Sequence, residues 1–326
     1  MPQVDIAEIE RVSRDALRAH GAADWVADEM AKTIRVAESY GNRICGLYYL
    51  ESYCQQLRSG RVKGDVEPEI TQPRAGLVAV DAGFGFAQTA FLRALPKGLE
   101  AARTCGIATI AISHAHTCTA VGYFTEQIAL HGLIGFGMTN ASPIVAPPGG
   151  KTRVIGTNPM AFAVPDGQGG VAMQFDQSTT AVALGRITMA NAAGEAIPEG
   201  WAIDADGAPT EDPAAALKGS LVSAGGYKGW GFGLMAEILA SAMTGSTPSR
   251  DVKPLKAPKG APHDLGQYFI LIDPSVQPGF AAAITALGAA VAQDDGCRMP
   301  GQGKTPALFA EVPETLWNAT LALAET

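Results

Sequence analysis

Residues 113–123 read SHAHTCTAVGY, with two histidines separated by one residue and followed at once by a threonine and a cysteine. Imidazole titrates near neutral pH, so such a pair can bind a metal ion, donate a proton in a reaction or satisfy itself by hydrogen bonding. The preceding IATIAIS reads as a buried strand, whose alternation would send His114 and His116 to one face. No third ligand stands nearby and no Cys-x-x-Cys occurs, so no metal is expected. Ligands of α/β proteins do sit at strand ends, which leaves both histidines as candidates. His20 and His131 each precede a glycine that ends a predicted helix, so they are expected to cap it. Nothing singles out His263.

Three glycine-rich stretches invite comparison with nucleotide loops. GFGFAQ at 83–88 has Gln88 where a dinucleotide fingerprint needs its last glycine, so its own motif does not support a Rossmann domain. GQGKT at 301–305 lacks a phosphate loop's first glycine, because position 298 is Arg298. GGYKGWGFG at 225–233 joins flexible backbone, a lysine and a helix start. Free N–H groups there favour an anion, and close helix packing would explain the glycines equally well. Asp176 in QFDQSTT and the TNP turn at 157–159 are polar groups held at strand ends or by proline, suited to a ligand or to a turn.

The surrounding elements are those of an α/β protein. Apolar residues at helical spacing mark 5–20, ADEMAKTIRVAESYG and RICGLYYLESYCQQLRSG, which gives a helical first sixty residues. Beyond Pro68, GLVAVDAG, IATIAIS, LIGFGMTN and QYFILIDP read as strands, with helices through QTAFLRALPKGLEAARTCG, EQIALHG and GFAAAITALGAAVAQ. The helix after residue 226 is expected to place Phe232, Met235, Leu239 and Met243 on one face, and the Pro-rich basic stretch 250–262 to be a mobile surface loop. A formal charge of −8 argues against nucleic acid as a partner. No run of about 18 apolar residues is present to span a bilayer. The charged opening MPQVDIAEIERVSRDAL and five scattered cysteines point to the cytoplasm.

GLIGFGMTNASPIVAPPGGKTRVIGTNPMAFAVP, FDQSTTAVALGRI, IPEGWAIDADGAPTEDP and GGYKGWGFGLMAEILASAMTG, in that order, resemble the malate/L-lactate dehydrogenase-like family of NAD(P)-dependent oxidoreductases. The resemblance implies a mixed-sheet NAD(P)-binding domain of non-Rossmann type over 78–277, with a helical layer from 1–77 and 278–326. It also implies a homodimer acting on a small molecule, with NADPH or NADH as cofactor. Carried over by motif, the cofactor would lie along Asp176, Gln177, Ser178, Thr179 and Thr180, with Tyr227 and Lys228, and with Gly301 and Lys304 closing its adenosine end. Met138, Thr139, Asn140, Thr157 and Asn158 would line the substrate pocket.

The chain departs from the family where proton transfer is expected. The family's Ser-His-Gly aligns with Ile44, Cys45 and Gly46, its carboxylate-holding arginine falls on Tyr49, and its second histidine falls on Thr117. Cys45, His116 and His114 therefore stand as the available proton donors, with Tyr48, Tyr49 and Thr117 as substrate contacts. Hydride addition to C=O needs a proton donor, whereas a protonated C=N does not. The expected activity is thus reduction of a small 2-oxo or cyclic 2-imino acid, the imine preferred. The alternative is a cofactor-binding homologue whose dehydrogenase chemistry is altered or lost.

Overall fold

The computed structural model describes residues 2–325. Three helices open the chain after a short strand, β1 (Gln3–Asp5): α1 (Ile6–Ala19), α2 (Asp24–Ser39) and α3 (Leu50–Ser59). Asp5 caps α1 by accepting from the Ala7 N–H at 2.7 Å. The third helix is shorter than its apolar spacing predicts, because 43–45 and 47–49 form two tight 3₁₀ turns around Gly46. Glu38 holds this break by accepting the Leu47 N–H at 2.8 Å. That break, not a helix face, presents Cys45.

The sheet follows: β2 (Glu69–Arg74), β3 (Leu77–Asp81), α4 (Ala87–Cys105), β4 (Ile107–Ala115), α5 (Gly122–Leu130), β5 (Ile134–Thr139), β6 (Met160–Pro165) and β7 (Val171–Gln177). A subsidiary layer contains α6 (Leu184–Ala193), β8 (Ala202–Ile203), α7 (Pro213–Lys218), β9 (Ser220–Leu221) and α8 (Tyr227–Glu237). The chain returns through β10 (Leu265–Ile272), α9 (Phe280–Val291), β11 (Phe309–Glu311) and α10 (Glu314–Ala324). Seven strands pair in the order β2-β3-β4-β10-β5-β6-β7. Only β3 and β4 run parallel, so the sheet is mixed and lacks the parallel order of a Rossmann domain.

Helices α4 and α5 cover one sheet face over Phe91, Phe124 and Phe269, whose ring centroids lie 4.9–5.1 Å apart. A second core joins the chain's two ends. Ile9, Leu17, Met30 and Leu50 pack with Ala310 and Val312, and β1 pairs antiparallel with β11. The opposite sheet face meets α8 and the π-helical turn Ile238–Ala242 that continues it. Met235 and Leu239 pack there as predicted, but Phe232 and Met243 remain 55% and 56% exposed. The wider π turn rotates Met243 off the face that α-helical spacing predicts.

Candidate active site

A cavity of about 780 Å³ opens between α2, the 3₁₀ turns, α5, β7 and the 301–304 loop. Its wall carries Cys45, Thr119, Gly122, Asp176, Gly301 and Lys304. The end of β7 aims Asp176 at the start of α5, where its Oδ2 accepts the Gly122 N–H at 2.7 Å. A Cβ on Gly122 would stand only 3.0 Å from the Asp176 Cβ, so glycine there permits the approach. The carboxyl is open to the cleft but walled by protein, and that desolvation lifts it to about 6, against the opposing pull of the Gly122 N–H. Cys45 is pushed up to about 12 by burial and then by Asp176, so it is a neutral thiol at physiological pH. Tyr49, behind it, is also raised to about 12, first by burial and then by Cys45.

The other end of the cavity was not legible in the motifs. There Tyr40 donates to Glu126 at 3.2 Å, burial raises the Glu126 carboxyl, and Lys304 pulls it back. The Lys304 Nζ lies 5.0 Å from the Tyr40 ring centroid. Asp176, from the end of β7, thus shares one cavity with Gly301 and Lys304, from a single loop, and with Cys45.

His114 and His116 contact different residues, contrary to the alternation expected of them. At φ +50°, His114 breaks the strand geometry and sets its Nδ1 3.0 Å from Asp81 Oδ1. His116 is 1% exposed and is not among the residues lining the cavity. It stacks on His263 at 4.1 Å, and Tyr53 and Phe86, themselves in contact, meet it edge-on. Its Nε2 lies 2.5 Å from Gln56 Oε1, so that nitrogen carries the proton. Burial first, then His263 and Arg61, hold His116 well below the usual imidazole range, and burial takes His263 to about 3. Both rings are neutral. His20 and His131 do cap their helices, each bonding a carbonyl four residues back at 2.8 Å.

The basic stretch expected to be mobile is instead bolted to α3. Gln56 Nε2 donates to the Leu255 and Ala257 carbonyls at 2.8 and 2.9 Å, and Ser59 donates to Pro258 at 2.7 Å. Arg61, 2% exposed, donates to the carbonyls of Pro254, Ala257 and Ala261. Partners so far apart in the chain leave no local signal.

Met138, Thr139, Asn140 and Asn158 are all buried, and hydrogen bonds inside the protein occupy the three polar ones. Asn140 donates to the Thr247 carbonyl and accepts from Gly266 N–H, while Thr139 donates to the Gly266 carbonyl. Asn158, at φ +37°, donates to Gly233 and to Glu237. The Thr157 carbonyl accepts both the N–H and the hydroxyl of Thr179, and the hydroxyls of Ser178 and Thr180 bond each other at 2.9 Å. Thr117 is buried, 6% exposed, just beyond His116. Tyr48, Gln177, Tyr227 and Lys228 are exposed.

Packing accounts for part of the glycine-rich loop. A Cβ on Gly229 would lie 2.3 Å from the Ala224 carbonyl, and one on Gly233 would lie 2.6 Å from Ile155. Gly225 and Gly226 turn the chain at φ +61° and +63°. Among the described residues, no three His, Cys, Asp or Glu side chains are grouped to hold a metal ion.

A mixed seven-stranded sheet, a helical cover built from both chain ends and a deep cleft at the end of β7 define an α/β protein of the non-Rossmann dehydrogenase type. Residues 4–307 match the malate/L-lactate dehydrogenase family, and the chain belongs to that family of NAD(P)-dependent oxidoreductases. It is 36% identical to a (2R)-3-sulfolactate dehydrogenase (NADP(+)) of Chromohalobacter salexigens, over 91% of this chain and 89% of that one. It is 38% identical to a Δ1-pyrroline-2-carboxylate reductase of Ancylobacter novellus, over 84% of this chain and 80% of that one. The crystal structure of Δ1-piperideine-2-carboxylate reductase from Pseudomonas syringae superposes with a TM-score of 0.91 at 30% identity, covering 99% of this chain and 100% of that one.

Proposed function

We propose that the chain is an NAD(P)H-dependent reductase of small 2-oxo or cyclic 2-imino acids, with the cyclic imine preferred. The observation that carries this reading is the pairing of Asp176 with Cys45 on the cavity wall. Burial holds Cys45 as a thiol near 12, too weak an acid to supply the proton a carbonyl needs. Asp176, near 6, is mostly ionised at neutral pH and offers a carboxylate to a cationic iminium nitrogen.

The cavity, about 780 Å³, falls within the range of pockets that enclose cofactor-sized ligands. Gly301 and Lys304 would hold the adenosine end, and Asp176 to Thr180 with Tyr227 and Lys228 would follow the rest. When bound, the reduced nicotinamide supplies a hydride to C2 of the imine. The C=N π pair moves to nitrogen and yields a neutral amine, so no protein acid is consumed. Asp176 holds the iminium nitrogen, and the Gly122 N–H fixes the carboxylate's orientation.

A spectrophotometric screen of NADH and NADPH oxidation with pyruvate, oxaloacetate, pyrroline-2-carboxylate and piperideine-2-carboxylate tests this directly. Faster turnover of one imine is the expected result. Tight cofactor binding with no turnover across the panel would favour a binding protein instead. Lys304→Gln is expected to weaken NADPH binding by roughly 5- to 10-fold and leave NADH within twofold, if Lys304 meets the 2′-phosphate. Equal effects on both cofactors in fluorescence titrations would remove that contact.

We also read the protein as a cytoplasmic homodimer. All five cysteines are free, which fits a reducing compartment. Helix α9, FAAAITALGAAV, is apolar yet buries only Gly288, and Leu287 is 52% exposed. A second copy of the chain is the proposed cover. Light scattering should report twice the 33.7 kDa chain mass, and Leu287→Glu should shift it to the monomer. A wild-type monomer would sink the assignment.

A further inference from the structure

The sheet face that meets the π turn carries a second hollow, of about 280 Å³, over β2, β3, β4 and β10. Strand register explains why it is there. Tyr268 on β10 stands opposite Ala111 on β4, and Ala111 is level with Ala79 on β3. Two alanines in one row leave the floor low, because neither side chain rises past its methyl. Tyr268 forms a wall two strands away from β3, about 10 Å across the sheet. Leu77 and the Met243 that the π turn rotates off the packed face line the hollow as well.

The next row along the strands is acidic. Glu69 on β2 stands directly opposite Asp81 on β3, and both line the hollow. Like charges so placed repel each other. Asp81 Oδ1 already meets His114 at 3.0 Å and the Gly83 N–H at 2.8 Å. The Glu69 carboxyl has neither an ion pair nor a hydrogen bond among the described residues. The opposed pair is thus one cation short.

Tyr268 points to a ligand independently. It is 7% exposed, yet its hydroxyl bonds nothing among the described residues. A buried phenol ordinarily finds a partner, and the hollow that Tyr268 lines is where one can be supplied. A metal ion does not suit this lining. Among the described residues no three His, Cys, Asp or Glu side chains are grouped, and the remaining walls are methyls, a thioether and an aromatic ring. Those surfaces suit the carbon chain and the charge of an organic cation.

We infer that this hollow binds a short aliphatic diamine. One ammonium sits between Glu69 and Asp81 and relieves their repulsion. The methylenes cross the alanine floor beside Leu77 and Met243, and the second ammonium donates to the Tyr268 hydroxyl. An amine that also carries a carboxylate is disfavoured by the two carboxyls. The hollow shares no lining residue with the Asp176 cavity, so the inference stands apart from the reductase reading.

Ligand-observed NMR titration of the full-length protein with 1,5-diaminopentane, n-pentylamine and 1,5-pentanediol tests it. The diamine should saturate one site, the monoamine should bind roughly fivefold more weakly, and the diol should not saturate. Glu69→Gln should weaken the diamine roughly fivefold, the scale of one partly exposed ion pair. Tyr268→Phe should weaken the diamine roughly threefold and leave the monoamine unchanged, the loss of one hydrogen bond. Ala79→Val raises the floor with a side chain suited to a strand and should abolish binding. Thermal melts show that each variant is folded. A diamine bound no more tightly than the diol overturns the assignment, as does diamine affinity unchanged in Glu69→Gln or in Ala79→Val. Displacement of the diamine by equimolar magnesium chloride would give the carboxylates to a metal ion and overturn it too.

Discussion

Glu237→Ala is expected to lower the melting temperature by about 5–15 °C. The Glu237 carboxyl, at the C-terminal end of α8, accepts from the Ser249 N–H at 2.7 Å, from the Ser249 hydroxyl and from the Asn158 amide at 2.8 Å. Ser249 and Asn158 are both wholly buried, so alanine would strand the Ser249 N–H and one amide hydrogen of Asn158, while the Ser249 hydroxyl falls back on Asn158 Oδ1 at 3.3 Å. Each stranded donor costs about 1–3 kcal/mol, and partial relaxation brings the sum to about 3–5 kcal/mol. Asn158 sits at φ +37° because this carboxyl and the Gly233 carbonyl both hold its side chain. Glu237→Gln keeps an acceptor and should lose about half as much. A melt within about 2 °C of wild type for the alanine variant would show that water replaces the carboxyl, and that the cluster is not what ties β6 to α8.

The strands and the larger helices were legible because their signals are local. GLVAVDAG, IATIAIS, LIGFGMTN and QYFILIDP carry the right residues in short runs with turn residues after them, and each is a strand of the sheet. What failed was whatever depends on partners distant in the chain. The break at Gly46 is invisible in RICGLYYL, since it is fixed by Glu38 from another helix. The 254–261 segment reads as a free basic loop until Gln56, Ser59 and Arg61, nearly 200 residues earlier, are seen to hold its carbonyls. Gly266 shows the same limit: a Cβ there would stand 1.6 Å from the Ala240 carbonyl, a crossing of β10 with the π turn that no motif announces. In the site, the resemblance assigns Asp176, Gly301 and Lys304 to one ligand, and the three line one cavity. The surroundings of Asp176 and Glu126 were not legible, because burial and charge come from packing.

Asp176→Asn should reduce kcat/KM for a cyclic imine by roughly 100-fold, about 2.7 kcal/mol of transition-state stabilisation, while leaving the melting temperature nearly unchanged. Asparagine can still accept the Gly122 N–H through its own oxygen, so the structural bond survives and only the charge is lost. The pH dependence carries the sharper distinction. With its pKa raised to about 6, Asp176 is ionised above that value and neutral below it. The ratio of kcat/KM in wild type to that in the Asp176→Asn variant should therefore be large above about pH 6 and shrink toward one as the pH falls through it. A carboxylic acid acting as proton donor to a carbonyl gives the opposite trend, with the wild-type advantage confined to the acid side. Cys45 cannot blur the comparison, since its thiol stays protonated up to about 12. Measuring the ratio, rather than either enzyme alone, also cancels the imine's own ionisation. A ratio that grows on acidification would move the proton to Asp176 and make the 2-oxo acid, not the imine, the substrate this cleft is built to reduce.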